Sequence, residues 1–151
     1  HKVTHVKAHG ALGNMINDEA DMAMAIGRAI KGVDPSLVYV VMPGLPTEKA
    51  AETLGLPMAR EVFADRTYDD SGNLTSRKVA GSVIHDAAMA SERVLRMVED
   101  GEIVTVTGKK LKAAIDTICV HGDNPAAVAM ARAVRDRLER AGVAIRPFKV
   151  A

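Results

Sequence analysis

The sequence predicts an α/β fold of consecutive βα units around a parallel sheet, and three observations carry that expectation. Short β-branched runs alternate with longer stretches of helical apolar spacing. One run, Leu37 to Met42, is apolar throughout instead of alternating, as a strand covered on both faces requires. The length of 151 residues also suffices, because a chain of that size hides roughly 70% of the surface its unfolded form exposes. No fixed-period repeat, low-complexity tract or linker interrupts the pattern, so a single α/β domain over 1–151 is expected.

The elements follow in order. Val3 to Ala8 is the first strand, and Gly10 to Asn14 connects it to a helix near Asp18 to Lys31. Met22, Ile26, Ala29 and Val33 recur there at steps of four, three and four, and Gly32, Asp34 and Pro35 close it. After the Leu37–Met42 strand, Pro43-Gly44-Leu45-Pro46-Thr47 turns into a short helix, Glu48 to Leu54. Arg60 to Ala64 is a third strand ending at Asp65. The polar stretch Asp65 to Ala80 exceeds a minimal βα turn and is a candidate lid or hairpin. A helix then spans about Asp86 to Glu99, with Ile84, Ala88, Ser91, Leu95 and Val98 on one stripe and Gly101 as its stop. Ile103 to Val106 and Leu111 to Ile115 can pair as a hairpin across Thr107-Gly108-Lys109-Lys110. Thr117 to Val120 is the next core strand, followed by a helix from Pro125 to Ala141 with Ala127, Ala131, Val134 and Leu138 inward. Val143 to Pro147 makes a last strand.

Composition removes whole classes of function. The 20 Lys and Arg against 19 Asp and Glu, with 3% aromatics and no Trp, supply neither the basic stripe nor the stacking rings of a nucleic-acid surface. No run of about 18 apolar residues exists, so no membrane-spanning helix is expected. The lone Cys119 has no partner for an internal disulfide, which points to a reducing, cytoplasmic setting.

Strand alternation locates the chemistry, because side chains two apart share a face. His5, Lys7 and His9 point one way in the first strand; Glu61, Phe63 and Asp65 share a side in the third; Cys119 and His121 do so along the strand that starts at Thr117. With the purely apolar faces under helices, Lys7, His9, Glu61, Asp65, Cys119 and His121 project to the other side, where unpaired charge costs several kcal/mol. His9, Asp65 with Arg66, and His121 with Asp123 each fall where a strand ends, the edge at which α/β sites assemble.

Several patterns have plainer readings. Gly10 and Gly122 are turn glycines or anion-cradling ones with equal standing. Gly108-Lys109-Lys110 lacks the rest of a phosphate-binding loop and reads as a hairpin tip, and Asp69 to Asn73 reads as a turn. His9, His121 and Asp123 are candidate ligands of a divalent metal, although such groups more often form hydrogen-bonded pairs. Asp65-Arg66 can equally be a structural ion pair, and Cys119 reads as core. Arg132, Arg135, Arg137 and Arg140 form a solvated face.

Three segments go further: Val6-Lys7-Ala8-His9-Gly10-Ala11-Leu12-Gly13-Asn14, Glu61-Val62-Phe63-Ala64-Asp65-Arg66-Thr67-Tyr68, and Ile118-Cys119-Val120-His121-Gly122-Asp123-Asn124-Pro125. Together they resemble the signature blocks of the LamB/YcsF lactam-utilisation family, and the resemblance runs over essentially the whole chain. Ala8, Gly13 and Asn124 stand where the family usually has Pro, Tyr and Thr. The resemblance implies part of a (β/α) TIM-like barrel of the carbohydrate-deacetylase type, with an open doubly wound parallel sheet as the alternative. It implies ATP-dependent opening of 5-oxo-L-proline to L-glutamate, with 5-oxoprolinase subunits B and C as partners. Longer members carry, before the Lys-x-His-Gly block, an acidic Asp/Asn/Gly/Glu motif and two His-containing motifs that this chain lacks. It is therefore expected to be the C-terminal portion of a longer barrel, to associate with partners or with a second copy, and to lack activity alone.

For the implied reaction, Lys7 and Arg66 would neutralise phosphate or oxyanion charge. His9 or His121 would move a proton, with Asp65, Glu61 and Asp123 orienting an imidazole, a water or an ion. The competing expectations are a metal-dependent amide or acetyl hydrolase and a non-catalytic piece completing a partner's barrel.

Overall fold

Tyr39 and its neighbours explain the centre of the first half of the chain. In the computed structural model, which describes residues 2–122 and 125–147, the strand β2 (Val38–Val41) is buried at every position. Strand β1 (His5–Val6) pairs parallel with one edge of β2, and β3 (Met58–Phe63) pairs parallel with the other. Parallel neighbours need crossover connections, and helices supply them. Between β1 and β2 lie α1 (Gly10–Asp18) and α2 (Ala20–Val33); between β2 and β3 lies α3 (Pro46–Leu54). Five helices and a parallel sheet are present among the described residues, so the α/β expectation holds.

The chain divides into two compact units, one reaching Glu61 and the other spanning Val62–Pro147. In the first, Ile30, Leu37, Tyr39, Val41, Ala51 and Leu56 form a core cluster. The small residues of α2 set how it packs. A Cβ on Gly27 would meet Leu54 Cδ1, a terminal methyl able to swing aside, at 2.6 Å, and Ala50 Cβ and Leu56 Cδ1 at 3.9 Å, so α2 faces α3 at this residue. Ala23, Gly27 and Ile30 are the buried residues of α2, and Met22 and Ile26 pack against the core half-buried as expected, while Ala29 and Val33 of the expected stripe are exposed. The expected connection over Gly10 to Asn14 is helix instead. Gly10, at φ 62°, starts the helix in a conformation that favours glycine, and burial of Ile16 and Asn17 outweighs the helix cost of about 1 kcal/mol for Gly13.

Asn17 anchors a buried polar network. Its Nδ2 donates to Met42 Sδ at 3.0 Å, and Thr47 Oγ1 donates to Asn17 Oδ1 at 3.0 Å while accepting from the Met42 N–H at 3.3 Å. Buried groups that lose a partner keep the full cost of leaving water. Thr47→Val is therefore expected to lower unfolding stability by about 1–3 kcal/mol, read from the urea midpoint; an unchanged midpoint would contradict this.

In the second unit, α4 (Ala87–Asp100) packs on α5 (Pro125–Arg140) through Ala90, Val94, Leu95, Met130, Val134 and Leu138. Asp86 caps α4 by accepting from the Met89 N–H at 2.7 Å, and Gly101, at φ 60°, ends it as expected. Ser91, Leu95 and Val98 face inward as expected, whereas Ala88 and Ala131 are exposed and Ala90 and Met130 take the inward positions. Strands β4 (Glu102–Val104) and β5 (Lys110–Lys112) pair antiparallel as a hairpin with Gly108 at its tip. Strand β6 (Thr117–Cys119) accepts the Ala64 N–H at Cys119 O, 3.0 Å away.

The expected last strand, Val143 to Pro147, is not one. Gly142, at φ 81°, closes α5, and the Val143 N–H folds back onto Leu138 O at 3.0 Å while its side chain joins the α4–α5 cluster. Val143 thus terminates a helix instead of entering a sheet. Arg137 also departs from the solvated face, donating from Nε to Glu92 Oε2 at 2.9 Å.

Candidate functional site

Strand alternation brings two of the expected groups together in each unit. In the first, Lys7 Nζ lies 2.6 Å from Glu61 Oε2; the Glu61 side chain is 10% exposed and that of Lys7 29%. A carboxylate so deeply placed needs that cation. His9 sits at the N-cap position of α1, exposed, with no side-chain capping bond.

In the second unit, His121 Nδ1 donates to Asp65 Oδ2 at 2.6 Å, with both side chains largely buried. Asp65 follows the end of β3 and His121 follows β6, so the backbone bond between Ala64 and Cys119 sets the spacing of their side chains. Phe63, two residues before Asp65, lies against the imidazole with centroids 5.8 Å apart and planes 28° from parallel. Asp65 Oδ1 is buried with no hydrogen-bond partner among the described residues. An imidazole held at Nδ1 by a carboxylate has its tautomer fixed, which leaves Nε2 to take and return a proton.

Arg66 is buried beside this pair. Its Nη2 donates to Thr75 O at 2.6 Å, and its Nε has no partner among the described residues. Burial holds the guanidinium below its usual range and Arg77 adds to that, while Asp65 and Tyr68 act against it. The stretch from Asp65 to Ala80, expected as lid or hairpin, takes the hairpin form, with antiparallel bridges Arg66 to Val83 and Tyr68 to Leu74. Within it, Asp69 Oδ1 accepts from the Ser71 N–H at 2.9 Å and the Asn73 N–H at 3.2 Å, the turn read from sequence. Tyr68 is fully buried, and its Oη accepts the Phe63 N–H at 2.7 Å.

Cys119 is half-buried. Asp123 lies outside the described residues, and among those described no cluster of three or more His, Cys, Asp or Glu is arranged to hold a metal. Sequence reasoning passes over Arg93, whose guanidinium grips the end of β3. Its position between the inward residues Ala90 and Val94 is visible in the sequence, but the helix rotation that aims it at β3 is not.

These observations define an α/β protein with a parallel sheet and a carboxylate–imidazole pair at the ends of two strands. The LamB/YcsF family profile matches residues 1–151, and the chain belongs to that family. A relative from Nitrobacter hamburgensis, named as the A subunit of 5-oxoprolinase, is 53% identical over 151 residues, covering 100% of this chain and 59% of its own length. One of the same name from Rhodopseudomonas palustris is 55% identical over 148 residues, covering 98% and 58%. A crystal structure of a lactam utilization protein from Thermus thermophilus superposes with a TM-score of 0.86 at 42% identity, covering 96% of this chain and 57% of that one. The chain thus spans somewhat under six-tenths of the length of these relatives.

Proposed function

We propose that this chain supplies the acid–base group of a 5-oxoprolinase, which opens 5-oxo-L-proline to L-glutamate with hydrolysis of ATP. The observation that carries the reading is the Asp65–His121 hydrogen bond at the strand ends, in a chain whose relatives are named as the A subunit of 5-oxoprolinase. A lactam resists water because its nitrogen donates into the carbonyl, so opening it requires a proton taken from water and one delivered to the departing nitrogen. His121 Nε2 takes the proton as water bonds to the carbonyl carbon, then returns it to the ring nitrogen as the C–N bond breaks. Asp65 keeps the imidazole oriented and offsets its transient positive charge. Arg66 supplies positive charge for the phosphoryl group carried by the amide oxygen.

ATP enters as co-substrate of the assembled enzyme: its γ-phosphoryl group bonds to the amide oxygen as ADP leaves, ring opening by the first water gives an acyl phosphate, and a second water releases phosphate and the glutamate carboxylate. The Gly108 tip does not fit a phosphate loop: its N–H bonds to Thr105 O at 3.0 Å and Lys109 Nζ donates to Asp70 O at 3.0 Å, so these donors are used within the unit. No step on this chain is routed through the nucleotide. Among the described residues no third donor joins His121 Nδ1 and Asp65 Oδ2, which are bonded to each other; Asp123, the remaining candidate ligand, lies outside the described residues.

The parallel β1–β2–β3 arrangement with helical crossovers supports the further proposal that these are units of a (β/α) barrel. Subunits B and C are the proposed partners, following the name of the relatives. The proposed compartment is the cytoplasm, supported by the lone cysteine; among the described residues no helix is long and apolar enough to cross a membrane. The test is reconstitution of this chain with those partners, followed by glutamate release from 5-oxoproline. Glutamate formation that requires both ATP and this chain is expected; formation at the same rate without the chain would overturn the proposal.

A further inference from the structure

Arg93 reaches from α4 to the strand end that carries the site. Its Nη1 donates to Phe63 O at 3.1 Å and approaches Ala64 O at 3.5 Å, the two carbonyls immediately before Asp65. Its Cζ stands 5.4 Å from the centroid of the Tyr68 ring, and the Tyr68 hydroxyl in turn accepts the Phe63 N–H. Ala64 is therefore held on both sides, by α4 at its carbonyl and by β6 at its N–H, which donates to Cys119 O. Phe63 and Asp65, whose side chains both contact the His121 ring, leave the backbone on either side of that clamped residue.

An arginine in this place is costly. Burial lowers its affinity for a proton, with Tyr68 and Asp65 acting in the opposite direction, and Nη2 is buried without a hydrogen-bond partner among the described residues. A neutral side chain of similar length would fill the same space without that cost. What it would not provide is a planar donor spanning two consecutive carbonyls with a face for the Tyr68 ring.

We propose that Arg93 is a positioning residue for proton transfer at His121: it fixes the end of β3 so that Asp65 and Phe63 meet the imidazole in one geometry. The proposal rests on the acid–base role of His121 given above. Arg93 touches neither substrate nor the reacting atoms and acts through the backbone of Phe63 and Ala64.

The test compares Arg93→Met and Arg93→Lys in the full chain by two measurements. The first is the low-field proton NMR signal of the His121 Nδ1–H bonded to Asp65, assigned by its loss in His121→Ala. The second is kcat and KM of lactam-dependent turnover in the assembled enzyme. Arg93→Met is expected to remove or strongly broaden the imidazole signal and to lower kcat about 10²-fold, with KM changed less than about threefold. Arg93→Lys, which keeps one charged donor, is expected to regain about tenfold of that loss and part of the signal.

A folded Arg93→Met with the native signal and native kcat would overturn the proposal. So would lowered thermal stability with an unchanged signal, because Arg93 would then only pack. Should Arg93→Met fail to fold, Arg93→Lys decides, and native values in both measurements would overturn the proposal. Should His121→Ala keep full turnover, the acid–base reading fails, while the NMR arm still reports whether Arg93 holds the pair together.

Discussion

Lactam-dependent turnover in the assembled enzyme is expected to fall about 10²–10⁴-fold when His121 is replaced by alanine, the range that a positioned acid–base group contributes. The loss should appear in kcat with little change in KM, because proton transfer is made only on the way to the transition state. The fold should survive. His121 lies beyond the last residue of β6, and its removal leaves β3, β6 and the α4–α5 cluster with their own contacts. It does strip the Asp65 carboxylate of the His121 hydrogen bond in a place where Oδ1 already has none, so a stability loss of about 1–3 kcal/mol accompanies the kinetic effect. Asp65→Asn added to His121→Ala should recover part of that stability, since a neutral amide is cheaper to bury than an orphaned carboxylate. Unfolding midpoints of the single and double variants check this; retained turnover in His121→Ala would refute the acid–base assignment itself.

The second large effect belongs to Lys7. Lys7→Met leaves Glu61 with 10% of its side chain exposed and without its cation, and orphaned buried charges of this kind cost about 3–5 kcal/mol. The partly exposed lysine places the expected loss near about 3 kcal/mol, because water already reaches one end of the pair. The consequence is local as well as global. β1 is short, pairing through His5 and Val6 with Thr4 O accepting the Val38 N–H, so the ion pair one residue beyond Val6 helps secure it. Faster hydrogen exchange at the β1–β2 ladder should accompany the lower unfolding midpoint. Glu61→Gln in the Lys7→Met background should restore about half or more of the loss, since no charge is then left behind. Equal stability of Lys7→Met and the parent chain would show that Glu61 is satisfied by other means.

Periodicity makes the sheet and most helices readable, because burial on a strand or helix leaves a repeat in the sequence. β2 is the clearest case: Leu37 to Met42 reads as doubly covered, and every residue of Val38–Val41 is buried. The failures have physical reasons. α1 is hidden by Gly10 and Gly13, which read as turn residues although Ile16 and Asn17 bury the helix's far end. Val143 looks like strand because it is β-branched, yet its N–H and side chain close α5. On α2 the half-buried Met22 and Ile26 are legible, whereas Gly27, which faces α3, has no side chain to register as apolar.

The site is legible to the extent that it depends on strand alternation. That rule puts Lys7, Glu61, Asp65 and His121 on one side of the sheet without saying which meets which; the structure pairs Lys7 with Glu61 and Asp65 with His121, each at 2.6 Å. Phe63 belongs to the same alternation but carries no charge to draw attention. Arg93 is illegible, since its role comes from the rotation of α4 against the end of β3.

The claim that Asp65 and His121 act as one unit is tested most directly by a double-mutant cycle on kcat in the assembled enzyme, using Asp65→Asn, His121→Ala and both together. Residues that serve a single proton transfer lose little more jointly than apart, so the double variant is predicted to match His121→Ala within about threefold. Losses that multiply across the two sites would contradict the account, as would an Asp65→Asn enzyme that turns over like the parent.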